Sequence, residues 1–237
     1  MVNSLIRFIV TKIAGLKRRV DTRRAISFTR DNLPELSIAY SSLGKFGQSG
    51  TPRQPFKGWE IWCLLEAFKP GFIAEMGSGT TSAVFALWAR RHAAKYVCYE
   101  HHPEWANITE SCLKDASLVC EESPVNVVAT RVSDDGKATG FVKSIPNEAD
   151  FVYVDGPPCV LDNGKKVPND DVVRLFDEGF LPATIVVDGR LETIDLIREH
   201  DVGKTYKFTP SLVYCLRRGH YFEAMTAPEH AIFVRRR

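Results

Sequence analysis

The chain has 237 residues, enough for one α/β domain with an N-terminal extension and a sizeable buried core. Hydrophobic residues make up 44% and charged residues 25%, as in an ordinary soluble globular protein, and a net charge of +2 gives no general signal for nucleic acid or an acidic partner. No apolar run approaches the ~18 residues of a membrane-spanning helix, no cysteine pair has C-x-x-C spacing, and no histidine cluster completes a zinc pattern.

In chain order, residues 4–20 are expected to form an amphipathic helix. Leu5, Ile9, Ile13, Leu16 and Val20 recur at helical spacing and form one stripe, with Lys12, Lys17, Arg18 and Arg19 mostly off it. Eight Lys or Arg before position 31 face a single acid, Asp21. Two functional readings follow for residues 1–24: peripheral contact with an anionic membrane, or a lid over a substrate site. Against them stands a helix packed on its own domain with a solvated basic face. An Arg-rich, acid-poor start also loosely fits a transit peptide, whereas Arg7 and Lys12 interrupt the apolar stretch a secretory signal needs. Residues 41–58 are dense in Gly, Ser and Pro and read as a loop or linker. The expected organisation is therefore a basic helix and linker over 1–58 and the main α/β domain over 59–237.

From there helix and strand signals alternate. Helices are expected over 59–68, 81–92, 103–119, 170–180 and 191–200, and strands over 72–76, 96–100, 125–130, 150–154 and 183–188. Residues 204–236 read as two or three strands around turns. His92, His200 and His230 read as surface histidines. Cys63 and Cys98 lie in apolar runs and read as small buried hydrophobes, and reduced thiols throughout fit a cytoplasmic protein. Alternation of this kind implies βαβ units: an α/β, Rossmann-like, doubly wound and mostly parallel sheet with helices on both faces, closed by an antiparallel C-terminal strand. Ligands bind such sheets at the carboxyl ends of the strands, near the point where strand order reverses.

The chemistry-bearing residues stand at those ends. Glu75-Met76-Gly77-Ser78-Gly79-Thr80-Thr81-Ser82 follows the first strand and opens a helix. Gly77 and Gly79 permit a tight turn and close ligand approach, and the helix start offers free N–H groups to an anionic group. Ser78, Thr80 and Thr81 add hydroxyls. Glu100 closes the second strand, where a carboxylate can accept hydrogen bonds from both hydroxyls of a ribose. Asp155 ends the apolar strand FVYV and is followed by Gly156-Pro157-Pro158, and Asp188-Gly189-Arg190 repeats the arrangement one strand later.

Together these motifs resemble the class I S-adenosylmethionine-dependent methyltransferases over about residues 59–236. The resemblance implies S-adenosyl-L-methionine as cofactor. Its methionine part would lie on Glu75, Gly77, Ser78, Gly79 and Thr80, its ribose on Glu100, and its adenine beside His101 and Val132, within 131–133. Asp155 would contact the cofactor and serve as the first choice of catalytic base, with Asp188 as the second. The implied acceptor is a small molecule or glycan methylated on oxygen, and His220 and Tyr221 would line its side of the site unless they form an exposed turn. Some metal-dependent relatives place acids at positions like Asp155 and Asp188 but follow the second with Asn. Gly189 stands there instead, so no metal is expected. Two other functions stay open. A nicotinamide-dependent oxidoreductase would want a third glycine where Ser82 stands, and an acid near Gly77 would repel its pyrophosphate. A non-catalytic binding module could keep the same fold.

Overall fold

The structure is a computed structural model that describes residues 2–44, 55–119, 124–161 and 163–236, without the side chains of 2–7 and 44. Helices α1 (Val2–Asn32), α2 (Pro34–Gly44) and α3 (Pro55–Phe68) precede the first strand. Then come β1 (Phe72–Met76), α4 (Thr80–His92), β2 (Lys95–Glu100), α5 (Pro103–Asp115) and β3 (Val125–Val127). A two-stranded hairpin, β4 (Thr130–Val132) and β5 (Thr139–Phe141), leads to β6 (Phe151–Val154), α6 (Asp171–Asp177), β7 (Thr184–Val187) and α7 (Leu191–Glu199). The chain ends with β8 (Tyr206–Thr209), α8 (Leu212–Arg218), α9 (Tyr221–Ala224) and β9 (Ala231–Arg235).

The main sheet has seven strands in the order β3-β2-β1-β6-β7-β9-β8. Pairings among β3, β2, β1, β6 and β7 are parallel, and β9 runs antiparallel to both β7 and β8. Strand order therefore reverses between β1 and β6, so the loops leaving these two strands diverge to opposite faces and open a crevice.

Period-two alternation explains why the central strands read as continuous apolar runs. Ile73, Phe151, Tyr153 and Val186 enter one core with Ile61, Trp62, Phe85 and Trp88 of α3 and α4. Ala74, Met76, Val152, Val154, Ile185 and Val187 enter the other with Leu175, Phe176, Ile194 and Ile197 of α6 and α7. Each strand thus feeds two cores, as a doubly wound sheet requires.

Several local expectations change. The N-terminal helix extends to Asn32, and its expected apolar stripe does not face the domain: among the described side chains Val10, Ala14, Ala25 and Thr29 are the buried positions, while Ile9, Ile13, Leu16 and Val20 are exposed. The side chain of Leu5 lies outside the described residues. The segment 41–58 is helical at both ends, in α2 and α3, and 45–54 lies outside the described residues. The strand expected over 125–130 is divided between β3 and the separate hairpin strand β4. Two helices stand between the last two strands. The Ser211 hydroxyl caps α8 by accepting from the Tyr214 amide at 3.2 Å, and Gly219 ends it at φ 81°. Cys63 is exposed because it lies on the outer face of α3, whereas Cys98 is buried in β2. His230 is fully buried, held by side chains from α3 and β6.

Candidate active site

Two loops meet at the switch point, each carrying a glycine that the contact requires. Gly77 follows β1 at φ +94°, and a Cβ there would lie 2.7 Å from the Gly156 nitrogen and 2.8 Å from the Asp155 carbonyl carbon. The reciprocal Cβ on Gly156 would lie 2.6 Å from the Gly77 Cα. Only a residue without a side chain lets these backbones touch.

Glu75, at the end of β1, is fully buried and turned away from the crevice. Its carboxylate accepts from Thr81 Oγ1 at 2.5 Å, from Ser82 Oγ at 2.7 Å and from the Tyr96 hydroxyl. Ser82 Oγ in turn accepts from the Gly79 amide at 2.9 Å. Burial pushes the Glu75 carboxyl up to about 7, with the donated hydrogen bonds opposing only part of that shift. Glu75 therefore fixes the start of α4 and its glycine loop from below. Thr80 sits half-buried in the first turn of α4.

Glu100 faces the crevice from the end of β2. One oxygen, Oε2, accepts from the Ser78 amide at 2.9 Å and the Ser78 hydroxyl at 3.1 Å. The other, Oε1, accepts from the His102 amide at 2.9 Å and lies 2.9 Å from His101 Nδ1. The Trp105 indole donates to the Ser78 carbonyl at 2.7 Å and locks the same loop from α5. The resulting cavity of about 390 Å³ is lined by Gly77, Ser78, Glu100, His101, Trp105, Asp155 and Arg190, among others. A second hollow of about 450 Å³ shares His101 and Pro158 with it and adds Arg131, Val132 and Asn163. Volumes in this range suit cofactor-sized ligands.

On the β6–β7 side the electrostatics separate the two aspartates. The Asp155 side chain is 48% exposed toward the cavity. Loss of water in the crevice, reinforced by repulsion from Asp188, raises its carboxyl to about 6, and Arg190 and Lys57 counteract only in part. Asp188 is 15% exposed, and both of its oxygens accept from Lys57 Nζ at 2.7 Å. Burial works to raise it too, but attraction from His230, Lys57 and Arg190 wins and holds it below the ordinary carboxylate range. Arg190 bridges the two strand ends. It donates to the Pro157 carbonyl at 2.7 Å and to the Asp155 carbonyl, and its guanidinium lies 3.5 Å from Asp155 Oδ1. Among the described residues its Nε is buried without a partner.

Beneath this pair runs a buried polar chain. His230 Nε2 lies 3.4 Å from the Tyr153 hydroxyl, and Nδ1 lies 2.5 Å from Glu60 Oε2. Glu60 also accepts from the amides of Glu229 and His230. Among the described residues no three of His, Cys, Asp and Glu converge as a metal-ligand group.

The crevice thus brings together Gly77, Ser78, Glu100, His101 and Asp155, with Asp188 one strand away and Val132 on the adjoining hollow. Glu75 supports the loop from inside. His220 is exposed at the joint between α8 and α9, Tyr221 packs in the cluster beneath α1, and neither lines these hollows. Sequence reasoning missed Lys57, Glu60, Trp105 and His230. Lys57 and Glu60 reach partners 131 and 170 residues away, so no local pattern announces them. Arg190 was visible directly after the Asp188-Gly189 turn, and a cation there is a usable signal for an acid it serves.

No family model and no curated protein matches the sequence. Solved structures do. The chain is similar to the cofactor-bound protein Rv0187 from MTB, at 14% identity and TM-score 0.50 over 88% of this chain and 94% of that one. A protein from Klebsiella pneumoniae, provisionally named an O-methyltransferase, superposes at 11% identity and TM-score 0.54 over 93% and 100% of the two chains. The SAH-bound methyltransferase PaMTH1 of Podospora anserina gives 14% identity and TM-score 0.50 over 91% and 95%. This likeness, with the strand order and the antiparallel β9, establishes the Rossmann-like fold of the class I methyltransferases for this chain.

Proposed function

We propose that the protein is an S-adenosylmethionine-dependent methyltransferase that methylates an oxygen of a small molecule or glycan. The observation that carries this reading is the Gly77–Gly156 contact beside Glu100, which places a glycine loop, a helix start and a carboxylate around one cofactor-sized crevice. The residues fit the cofactor with one change of role. Glu75 is consumed inside the protein, so the amino-acid part of the cofactor would rest on Gly77 and Ser78, with Glu100 under the ribose and Asp155 left to act on the acceptor. His101 and Val132 border the hollow where adenine would lie. The neighbours' names support the reading: one is bound to SAH, another to a cofactor, and a third is named for O-methylation.

The cofactor supplies a methyl group already activated on its sulfonium. The chain has to align the acceptor oxygen and take up its proton. Asp155, raised to about 6, is a stronger base than an ordinary carboxylate yet ionised at neutral pH. Asp188 stays ionised on Lys57 and holds charge beside it. The Lys57 ammonium already occupies both Asp188 oxygens, which supports a metal-independent site. Ser82 stands in the third-glycine position with its hydroxyl tied to Glu75, which weighs against a dinucleotide. The reading includes cytoplasmic placement, from the reduced thiols, and a peripheral membrane contact through residues 1–24. Isothermal titration tests the central part: S-adenosylmethionine and its demethylated product should bind, and NAD should not. Binding of NAD with no response to the sulfonium compound would reverse it.

A further inference from the structure

Helix α1 is amphipathic in an unusual sense. Val10, Ala14, Arg18 and Ala25 form its inner side. Val10 and Ala14 pack on Leu212, Cys215, Ala224 and Ala227, and Arg18 makes a two-bond ion pair with Glu229, at 2.8 and 2.5 Å. The helix is therefore docked on the domain. Yet Ile9, Ile13, Leu16 and Val20, which share an arc of about 60° on the helix wheel, lie away from that side. They are 47%, 40%, 61% and 49% exposed. Apolar side chains lined up on solvent along several turns mark an interaction surface rather than scattered surface hydrophobes.

The borders of the stripe say what covers it. Lys12, Arg19 and Arg23 run along one edge, and Lys17 and Arg24 along the other, all exposed. Among the described residues only Lys17 has a carboxylate partner, Asp21 at 2.9 Å. A second copy docked through a two-fold axis would set these cationic edges against each other, and between Phe8 and Arg24 the one carboxylate, Asp21, is already paired with Lys17. An anionic surface with an apolar interior satisfies both parts at once. No helix among the described residues is long and apolar enough to cross a membrane, so the contact is one of lying on the surface.

We infer that α1 is a docked interfacial helix whose Ile9–Ile13–Leu16–Val20 stripe inserts into an anionic lipid surface while Lys12, Arg19, Arg23 and Arg24 bind its headgroups. The inner face, locked by Arg18 and Glu229, keeps the catalytic domain at a fixed attitude to the bilayer. This deepens the membrane part of the proposed function and stands apart from methyl transfer.

The test is co-sedimentation of the full chain with phosphatidylcholine vesicles and with equimolar phosphatidylcholine–phosphatidylserine vesicles. Binding is expected only to the anionic vesicles and should weaken with added salt. The pair Arg19→Gln/Arg23→Gln should lower the partition coefficient at least ~10-fold, on the scale of about fivefold per surface charge. The pair Ile13→Ser/Leu16→Ser should lower it similarly. These positions are exposed, so circular dichroism and melting temperature should stay at wild-type values. Equal binding to neutral vesicles, no binding at low salt, or loss with the charge pair but not the apolar pair would each overturn the proposal. So would a dimer in light scattering that Leu16→Ser dissolves without any vesicle binding. Cofactor titration of the same samples reads the methyltransferase part independently.

Discussion

At the scale of single residues, the two glycines of the β1 loop illustrate how one motif holds two different demands. Gly77 has a left-handed backbone and no room for a Cβ against Asp155 and Gly156. Gly79 is extended, and a Cβ there would meet nothing nearer than Trp105 at 4.0 Å. Gly77→Ala must push two strand ends apart, and it is expected to cost about 1–3 kcal/mol of stability, as overpacking does. It should also weaken cofactor binding more than ~10-fold under the proposed function, because the displaced loop carries the helix start assigned there to the cofactor. Gly79→Ala should melt near the wild-type temperature. Urea denaturation and titration of both variants check this, and equal stability of the two would mean the loops are not in contact. The acids at the strand ends were legible because a parallel strand announces itself as an apolar run and its last residue is then known. Which way each acid points was not legible. Glu75 lies level with Cys98, two residues short of Glu100 on the adjacent strand, and is drawn inward by Thr81, Ser82 and Tyr96, whereas Glu100 is held at the crevice by Ser78 and His102.

At the scale of elements, α3 does the work that local patterns could not reveal. The Gly, Ser and Pro content around it reads as linker, but Pro55 opens a helix readily and Phe56, Ile61, Trp62 and Leu65 supply a buried face. Its first turns then deliver Lys57 to Asp188 and Glu60 to His230, contacts set by tertiary packing alone. The C-terminal helices were misjudged for a related reason. The run LVYC is rich in strand formers, and only the flanking Ser211 and Gly219 carried the helix signal. Because Lys57 is the chief direct partner of Asp188, Lys57→Met should leave a largely buried carboxylate short of a counter-charge. A loss of ~1–3 kcal/mol is expected, less than for a fully buried pair because Lys57 is 25% exposed. Lys57→Arg should recover most of it. Denaturation at neutral pH measures both, and an unperturbed Met variant would show that Arg190 and His230 suffice to hold Asp188.

At the scale of the whole molecule, the buried acids give the fold a pH dependence of unusual sign. In most proteins paired carboxylates have lowered values, and stability is lost as pH falls. Here Glu75 is raised to about 7 and Asp171 to about 6, in each case chiefly by burial. An acid whose folded value lies above its unfolded one binds more protons in the native state. Its contribution is complete below the unfolded value and is lost as pH rises through the folded one. For Glu75 that window runs from the ordinary 4.5 to about 7, an upper limit on the order of 3 kcal/mol at 1.36 kcal/mol per unit. Asp188, held below its ordinary value, acts in the opposite direction but at lower pH, outside this window. Stability is therefore expected to decline between pH 5 and pH 7, within those unfolded and folded limits. Glu75→Gln keeps the size of the side chain and removes the titration. It should flatten the decline and leave stability at pH 5 close to that of the wild type, because the neutral amide stands in there for the protonated carboxyl. Urea midpoints of both proteins across this range give the comparison. Parallel slopes for wild type and variant would place the Glu75 carboxyl at an ordinary value and remove it as the buried post beneath the glycine loop.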